Sequence, residues 1–101
     1  MNERVVVRCV ETGTAWTCDV TVDDGDGRPT THVVSVTAAD LARLAPGAAD
    51  PEDLVTRSFA FLLEREPKSS ILGRFDLMVI ARYFPEYERA VRTAAYDPRD
   101  V

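Results

Sequence analysis

The sequence predicts an α+β domain. Three strands, at about 4–10, 15–22 and 31–37, form an antiparallel β-meander, and three to four short C-terminal helices, at about 38–44, 51–65, 76–84 and 86–93, cover one face. Three observations lead there. Apolar and polar residues alternate with period two from Val5 to Val22 and again from Thr31 to Thr37, the spacing of half-buried strands. From Val55 onward the apolar residues recur at helical spacing. The stretch Ser58–Tyr87 holds all four Phe and two of the three Tyr, so it reads as the layer that roofs the sheet. A chain of 101 residues is one domain by length, with a sheet layer at 1–37, a helical layer at 38–95 and a frayed tail at 96–101.

The first hairpin carries its own register. Val5, Val7 and Cys9 alternate with Val6, Arg8 and Val10; after Gly13-Thr14, Trp16, Cys18, Val20 and Val22 alternate with Thr17, Asp19 and Thr21. Gly13-Thr14 suits a two-residue type II′ turn with positive φ at the glycine. That turn sets Val5 opposite Val22, Val7 opposite Val20 and Cys9 opposite Cys18. On the other face it sets Arg8 opposite Asp19, an opposite-charge pair that agrees with the turn. Residues 23–29, DDGDGRP, form a turn-rich connection. They resemble part of a calcium loop, but Val22 and Val33 stand where that pattern needs carboxylates, so a solvated acidic loop is expected and no metal site. The third strand puts His32, Val34 and Val36 on one face, with His32 paired to Val20 or Val22. The outward face shows Val6, Val10 and Val33, a candidate dimer face.

Thr37 with Asp40 three residues on starts a short helix carrying Leu41 and Leu44, which Pro46-Gly47 ends. Asp50-Pro51-Glu52-Asp53 opens the next, with a capping Asp, Pro at the first helical position and two acids at the positive end of the dipole. Its stripe is Val55, Phe59, Leu62 and Leu63, and Pro67 stops it near Arg65. Ile71-Leu72 reads as a single turn. Asp76 caps a further helix lined by Leu77, Ile80, Ala81 and Phe84, and Pro85 either ends it or restarts a last one with Tyr87 and Val91 facing in.

Composition limits function. The net charge is −5, which opposes binding to a phosphate backbone. Residues 1–53 hold ten acids against four bases, and residues 54–101 seven acids against eight bases. No apolar run approaches the ~20 residues of a membrane span. The N-terminus lacks a signal-peptide layout, and cytoplasmic residence is the default expectation.

Cys9 and Cys18 face each other at a non-hydrogen-bonded site, where Cα atoms approach to ~4.5 Å, so geometry permits a bridge. The expected compartment favours two reduced core thiols instead. His32 is the only histidine, with no nucleophile or carboxylate at a suggestive spacing, and reads as structural. No catalytic residue, cofactor-binding residue or metal ligand is nominated. Arg57, Arg65 and Arg82, beside Tyr83 and Tyr87, interleave cations with aromatics as an interaction surface does, although acids lie near most of them.

The string FxFLLEREPxxSILxxFDLxxIxxYFPEY is carried by Phe59, Phe61–Pro67, Ser70–Leu72, Phe75–Leu77, Ile80 and Tyr83–Tyr87. With VTxxDLxRLAPG at Val36–Gly47, it resembles a family of small uncharacterised bacterial proteins of about this length. That resemblance implies membership and no mechanism. The leading functional expectation is a non-enzymatic protein-interaction or regulatory module with a protein partner or self-association. A nucleic-acid-linked, antitoxin-like accessory protein is the alternative. A ligand-binding protein or small enzyme with a pocket between sheet and helices, near Trp16 and His32, is a third.

Overall fold

The computed structural model describes residues 4–44 and 50–95, with side chains of the last helix through Val91. Strands β1 (Arg4–Thr12), β2 (Ala15–Asp23) and β3 (Thr30–Thr37) form the antiparallel meander. Helices α1 (Ala38–Leu44) and α2 (Pro51–Leu63) follow, then a single 3₁₀ turn at Lys68–Ser70. Strand β4 (Arg74–Asp76) and helices α3 (Val79–Tyr83) and α4 (Tyr87–Ala95) complete the chain. The expected helix stop at Pro46-Gly47 and the tail at 96–101 lie outside the described residues.

The hairpin register is the one its turn dictates: Val5 pairs with Val22, Val7 with Val20, Arg8 with Asp19 and Cys9 with Cys18. Gly13 has φ 65° and Thr14 does not share the positive sign, as a II′ turn requires. His32 pairs with Val20. The even-numbered residues of β2 and β3 enter the core, where Cys18, Val20, Val22, Val34 and Val36 are buried.

The sheet corrects the expected three-stranded meander. It has four strands in the order β1-β2-β3-β4, and β4 runs parallel to β3, through Val33 with Arg74, Val34 with Phe75 and Ser35 with Asp76. The Val33 N–H donates to Gly73 O at 2.8 Å and the Leu77 N–H to Ser35 O at 2.9 Å. Asp76 has two tasks: its Oδ2 accepts from the Ser35 hydroxyl at 3.1 Å, and its Oδ1 accepts from the Met78 N–H at 3.0 Å. The helix expected over 76–84 therefore starts only at Val79, because Asp76 belongs to β4 and the Leu77 N–H is spent on Ser35 O.

The helix starts follow the capping chemistry. The Thr37 hydroxyl accepts from the Asp40 N–H, and the Asp50 carboxylate from the Glu52 N–H. Helix α2 lies on β1 and β2 and packs against α4. It carries Leu54, Val55, Phe59, Phe61 and Leu62 into the core. Phe59 contacts His32 and Phe75 at ring-centroid distances of 5.4 and 6.1 Å, so the roof rests on the sheet through aromatic contacts. Arg43 ties α1 to α4 through Glu88.

Cys9 and Cys18 form a disulfide, with Cα atoms 4.0 Å apart. This overturns the expectation of reduced thiols: the register alone brings the sulfurs within bonding reach, and the argument from compartment does not decide it. Tyr87 is completely buried, and Val91 is buried with it: the inward reading of the last helix holds, and the placing of Tyr87 beside Tyr83 on an exposed stripe does not. The Tyr87 hydroxyl lies 2.6 Å from the Ser58 Oγ, which in turn donates to Leu54 O at 2.8 Å. Ser58 has one proton and gives it to the carbonyl, so the Tyr87 hydroxyl is the donor between them. Burial pushes the phenol's pKa well above its usual value.

Two outcomes are expected. Ser58→Ala orphans the buried Tyr87 hydroxyl and costs about 1–3 kcal/mol in urea unfolding, whereas Tyr87→Phe leaves the Ser58 bond to Leu54 intact and costs about 1 kcal/mol; equal losses would contradict the donor assignment. Protein prepared without reductant shows no titratable thiol even in guanidinium, and reduction removes roughly 2–3 kcal/mol of stability by freeing the short loop in the unfolded chain.

Candidate functional site

One cleft stands out among the described residues. It has a volume of about 370 Å³ and lies between the end of α2, the 3₁₀ turn, β4 and α3. Leu62, Ile71, Phe75 and Ile80 are buried lining residues that form its floor. Val79 and Phe84 are half-buried lining residues. Leu72 and Tyr83 are two of the large apolar residues most open to solvent, at 50% and 69%, and both line the opening. Glu66 and Ser70 add the polar edge.

Each wall has a local cause. The α2 backbone closes with the Arg65 and Glu66 N–H groups both donating to Leu62 O, and Pro67 prevents a further turn. The chain then turns at Lys68–Ser70, held by Ser70 N–H to Pro67 O and Ile71 N–H to Lys68 O. Ile71 is extended, with φ −80° and ψ 134°, so Ile71 and Leu72 point to opposite sides. Ile71 goes in and Leu72 goes out. His32, expected beside a pocket, is 3% exposed and anchors this wall instead. Its Nδ1 lies 2.7 Å from Leu72 O and its Nε2 2.8 Å from the Thr30 Oγ1. A carbonyl only accepts, so Nδ1 carries a proton and the ring fixes the backbone behind the Leu72 side chain.

A second anchor reaches across from the acidic loop. The Lys68 Nζ donates to Asp24 Oδ1 at 2.8 Å and Asp26 Oδ2 at 2.7 Å, and its side chain is 8% exposed. The loop is preset for this. Asp23, Asp24 and Asp26 each accept from a backbone N–H two residues on, and Gly25 and Gly27 take φ 87° and 80°. The loop is exposed at residues 25–29, as expected of a solvated one, yet it is pinned, and the cation between its carboxylates is the chain's own. The Lys68 hydrogen bond, then the Arg28 N–H, lower the Asp26 carboxyl from 3.8 to about 2. Asp24 and then Asp26 raise the Lys68 ammonium in turn.

The residues singled out by sequence do not assemble into one surface. Arg57 pairs with Asp53 at 2.8 Å. Arg65 lies 3.6 Å over the Phe61 ring and also bonds Glu86 and Glu64. Arg82 is exposed, and Tyr83 reaches the cleft. Tyr87 does not reach the surface at all, because α4 turns it onto α2 beneath the Phe61 edge at 5.4 Å. Val6 and Val10 are exposed at 54% and 57% on the sheet face away from the helices, and Val33 there is half-buried. At the His32 end of the pocket foreseen near Trp16 and His32, Phe59 packs against the imidazole. Among the described residues no three His, Cys, Asp or Glu side chains gather as a metal set. Glu66, Leu72 and Val79 were not legible as site residues. The one available signal was Ile71-Leu72, an apolar doublet ahead of Gly73, where an extended chain must leave one side chain out.

The acid limb of stability tests the loop anchor. A carboxyl held below its ordinary value contributes stability above that value and loses it as pH falls from 3.8 toward about 2. Asp26→Asn keeps an oxygen for the Arg28 N–H but removes the charge. Thermal melts across this window should therefore fall less steeply for the variant than for the parent; parallel curves would show that the pair contributes nothing.

The chain matches no protein-family model, no curated protein and no solved structure.

Proposed function

We propose that this chain is a non-enzymatic protein-interaction module that receives a short apolar segment of a partner protein in the cleft between the α2 end, Leu72 and α3. The observation that carries the reading is the cleft itself: about 370 Å³, with a floor of buried apolar side chains and with Leu72 and Tyr83 held open to solvent at its mouth. Concave apolar surface with a few polar groups at its edge is where partners anchor large side chains. The polar groups outside the cleft support the same reading. His32 is satisfied on both ring nitrogens, Ser58 and Tyr87 satisfy each other, and Lys68 is held by two carboxylates. Nothing in that set is arranged as nucleophile and base.

The resemblance to small bacterial proteins fits the proposal without adding mechanism. No described helix is long and apolar enough to cross a membrane. Cytoplasmic residence belongs to the proposal as well, with one condition: a cytosol at ordinary redox poise keeps accessible thiols reduced, so the bridge must resist reduction there, with Cys18 at 0% exposure and Cys9 half-buried. The arginines supply little for nucleic acid, since Arg57 and Arg65 are already paired with acids.

Selection of a random-peptide phage library on the immobilised protein tests the reading. Enriched peptides should bind the parent and lose about tenfold or more in affinity on Leu72→Asp or Tyr83→Asp, as truncated hot spots do. Both positions are exposed, so stability should stay within about 0.5 kcal/mol of the parent. Peptides that bind both variants as well as the parent, or a selection without enrichment, would overturn it.

A further inference from the structure

The edge of the cleft carries charge as well as apolar surface. Glu66 is half-buried and is the one carboxylate among the lining residues. Its two basic neighbours in sequence are both engaged elsewhere. Arg65 stacks on Phe61, donates to Phe61 O and bonds Glu64 and Glu86. Lys68 turns the other way, to Asp24 and Asp26. Among the described residues no cation pairs with Glu66, and its carboxylate accepts no hydrogen bond within the chain, although its own N–H is satisfied by Leu62 O. Arg82, next to Tyr83, does not line the cleft. The mouth therefore carries one uncompensated negative charge set against an apolar floor, in a partly desolvated position where charge is screened less than in open water.

Resting on the cleft as binding site, we infer that it prefers segments in which a large apolar residue is accompanied by Lys or Arg, the cation pairing with Glu66 while the apolar side chain fills the space over Ile71, Phe75 and Ile80. An acidic neighbour beside the anchor is disfavoured by the same charge. Leu72 and Tyr83 supply affinity in this scheme, and Glu66 supplies selectivity.

The test repeats the peptide selection on three proteins: the parent, Glu66→Gln and Glu66→Lys. Parent-selected peptides should be enriched in Lys or Arg beside the apolar anchor, the enrichment should vanish on Glu66→Gln, and Asp or Glu should replace it on Glu66→Lys. A synthetic parent-selected peptide should lose roughly two- to fivefold in affinity on Glu66→Gln, in line with a partly exposed ion pair, and this difference should shrink in high salt. An uncharged apolar peptide should bind the parent and Glu66→Gln alike, which reports that the cleft is still folded. Equal Lys and Arg enrichment on all three proteins would overturn the charge inference and leave the cleft standing. Peptides that ignore Leu72→Asp and Tyr83→Asp would remove both.

Discussion

Side chains alternate along a strand, so a slip of one residue in the first hairpin would turn Val5, Val7 and Cys9 outward and bring Arg8 in. The Gly13 turn forbids that slip. Its positive φ of 65° is open to glycine at no cost in Cβ contact, and the two-residue reversal leaves one pairing. From it follow the disulfide, the continuous apolar face of β1 to β3 and the surface on which α2 lies. Glu52, in the first turn of α2, then accepts the Cys9 N–H at 2.9 Å. That N–H points away from β2 because the Cys9–Cys18 pair is non-hydrogen-bonded. One carboxylate thus indexes the helical layer to the sheet and blocks part of an otherwise open strand edge.

The other side of the sheet is closed by a different device. Strand β4 is too short to stand alone, and its backbone bonds to β3 are joined by the Ser35–Asp76 contact. The segment leading to it is fastened at Leu72 O by His32 and at Lys68 by the acidic loop. An ammonium drawn in against the protein surface needs partners to replace its water. Lys68 meets two carboxylates, and those carboxylates are themselves oriented by backbone N–H groups. The hairpin connection between β2 and β3 therefore acts on a turn more than forty residues away.

The hairpin, the caps at Thr37 and Asp50, and the broad face of α2 were legible because each is written within a few residues. Strand β4 was not. It offers one inward residue, Phe75, too few to show a period, and its partner Val34 is remote. Tyr87 reads inward from its helical spacing with Val91 and outward from its arginine neighbours. An aromatic among arginines looks like a surface, and the observation that reverses this is a hydroxyl partner on another helix, Ser58; a buried Tyr needs such a handle. The disulfide is legible as geometry, and only the expected compartment argues against it. The cleft was hidden because its walls come from three segments whose separation depends on the Lys68 and His32 anchors, neither of which shows in apolar patterning.

Those anchors also explain how an apolar cleft can persist unfilled. A small domain gains by collapsing apolar surface onto itself, and Leu72 and Tyr83 would close over Phe75 and Ile80 if their backbones were free to move. They are not. Leu72 is fixed from behind by an imidazole that is itself buried. Tyr83 is fixed by α3, whose approach is held where the Asp76 carboxylate accepts the Met78 N–H, and which ends where the Phe84 N–H donates to Ile80 O. Polar contacts on the far side of the wall thus hold open an apolar space on the near side. Stability and binding then fall on different residues: the anchors set the width of the cleft, and the rim sets what enters it.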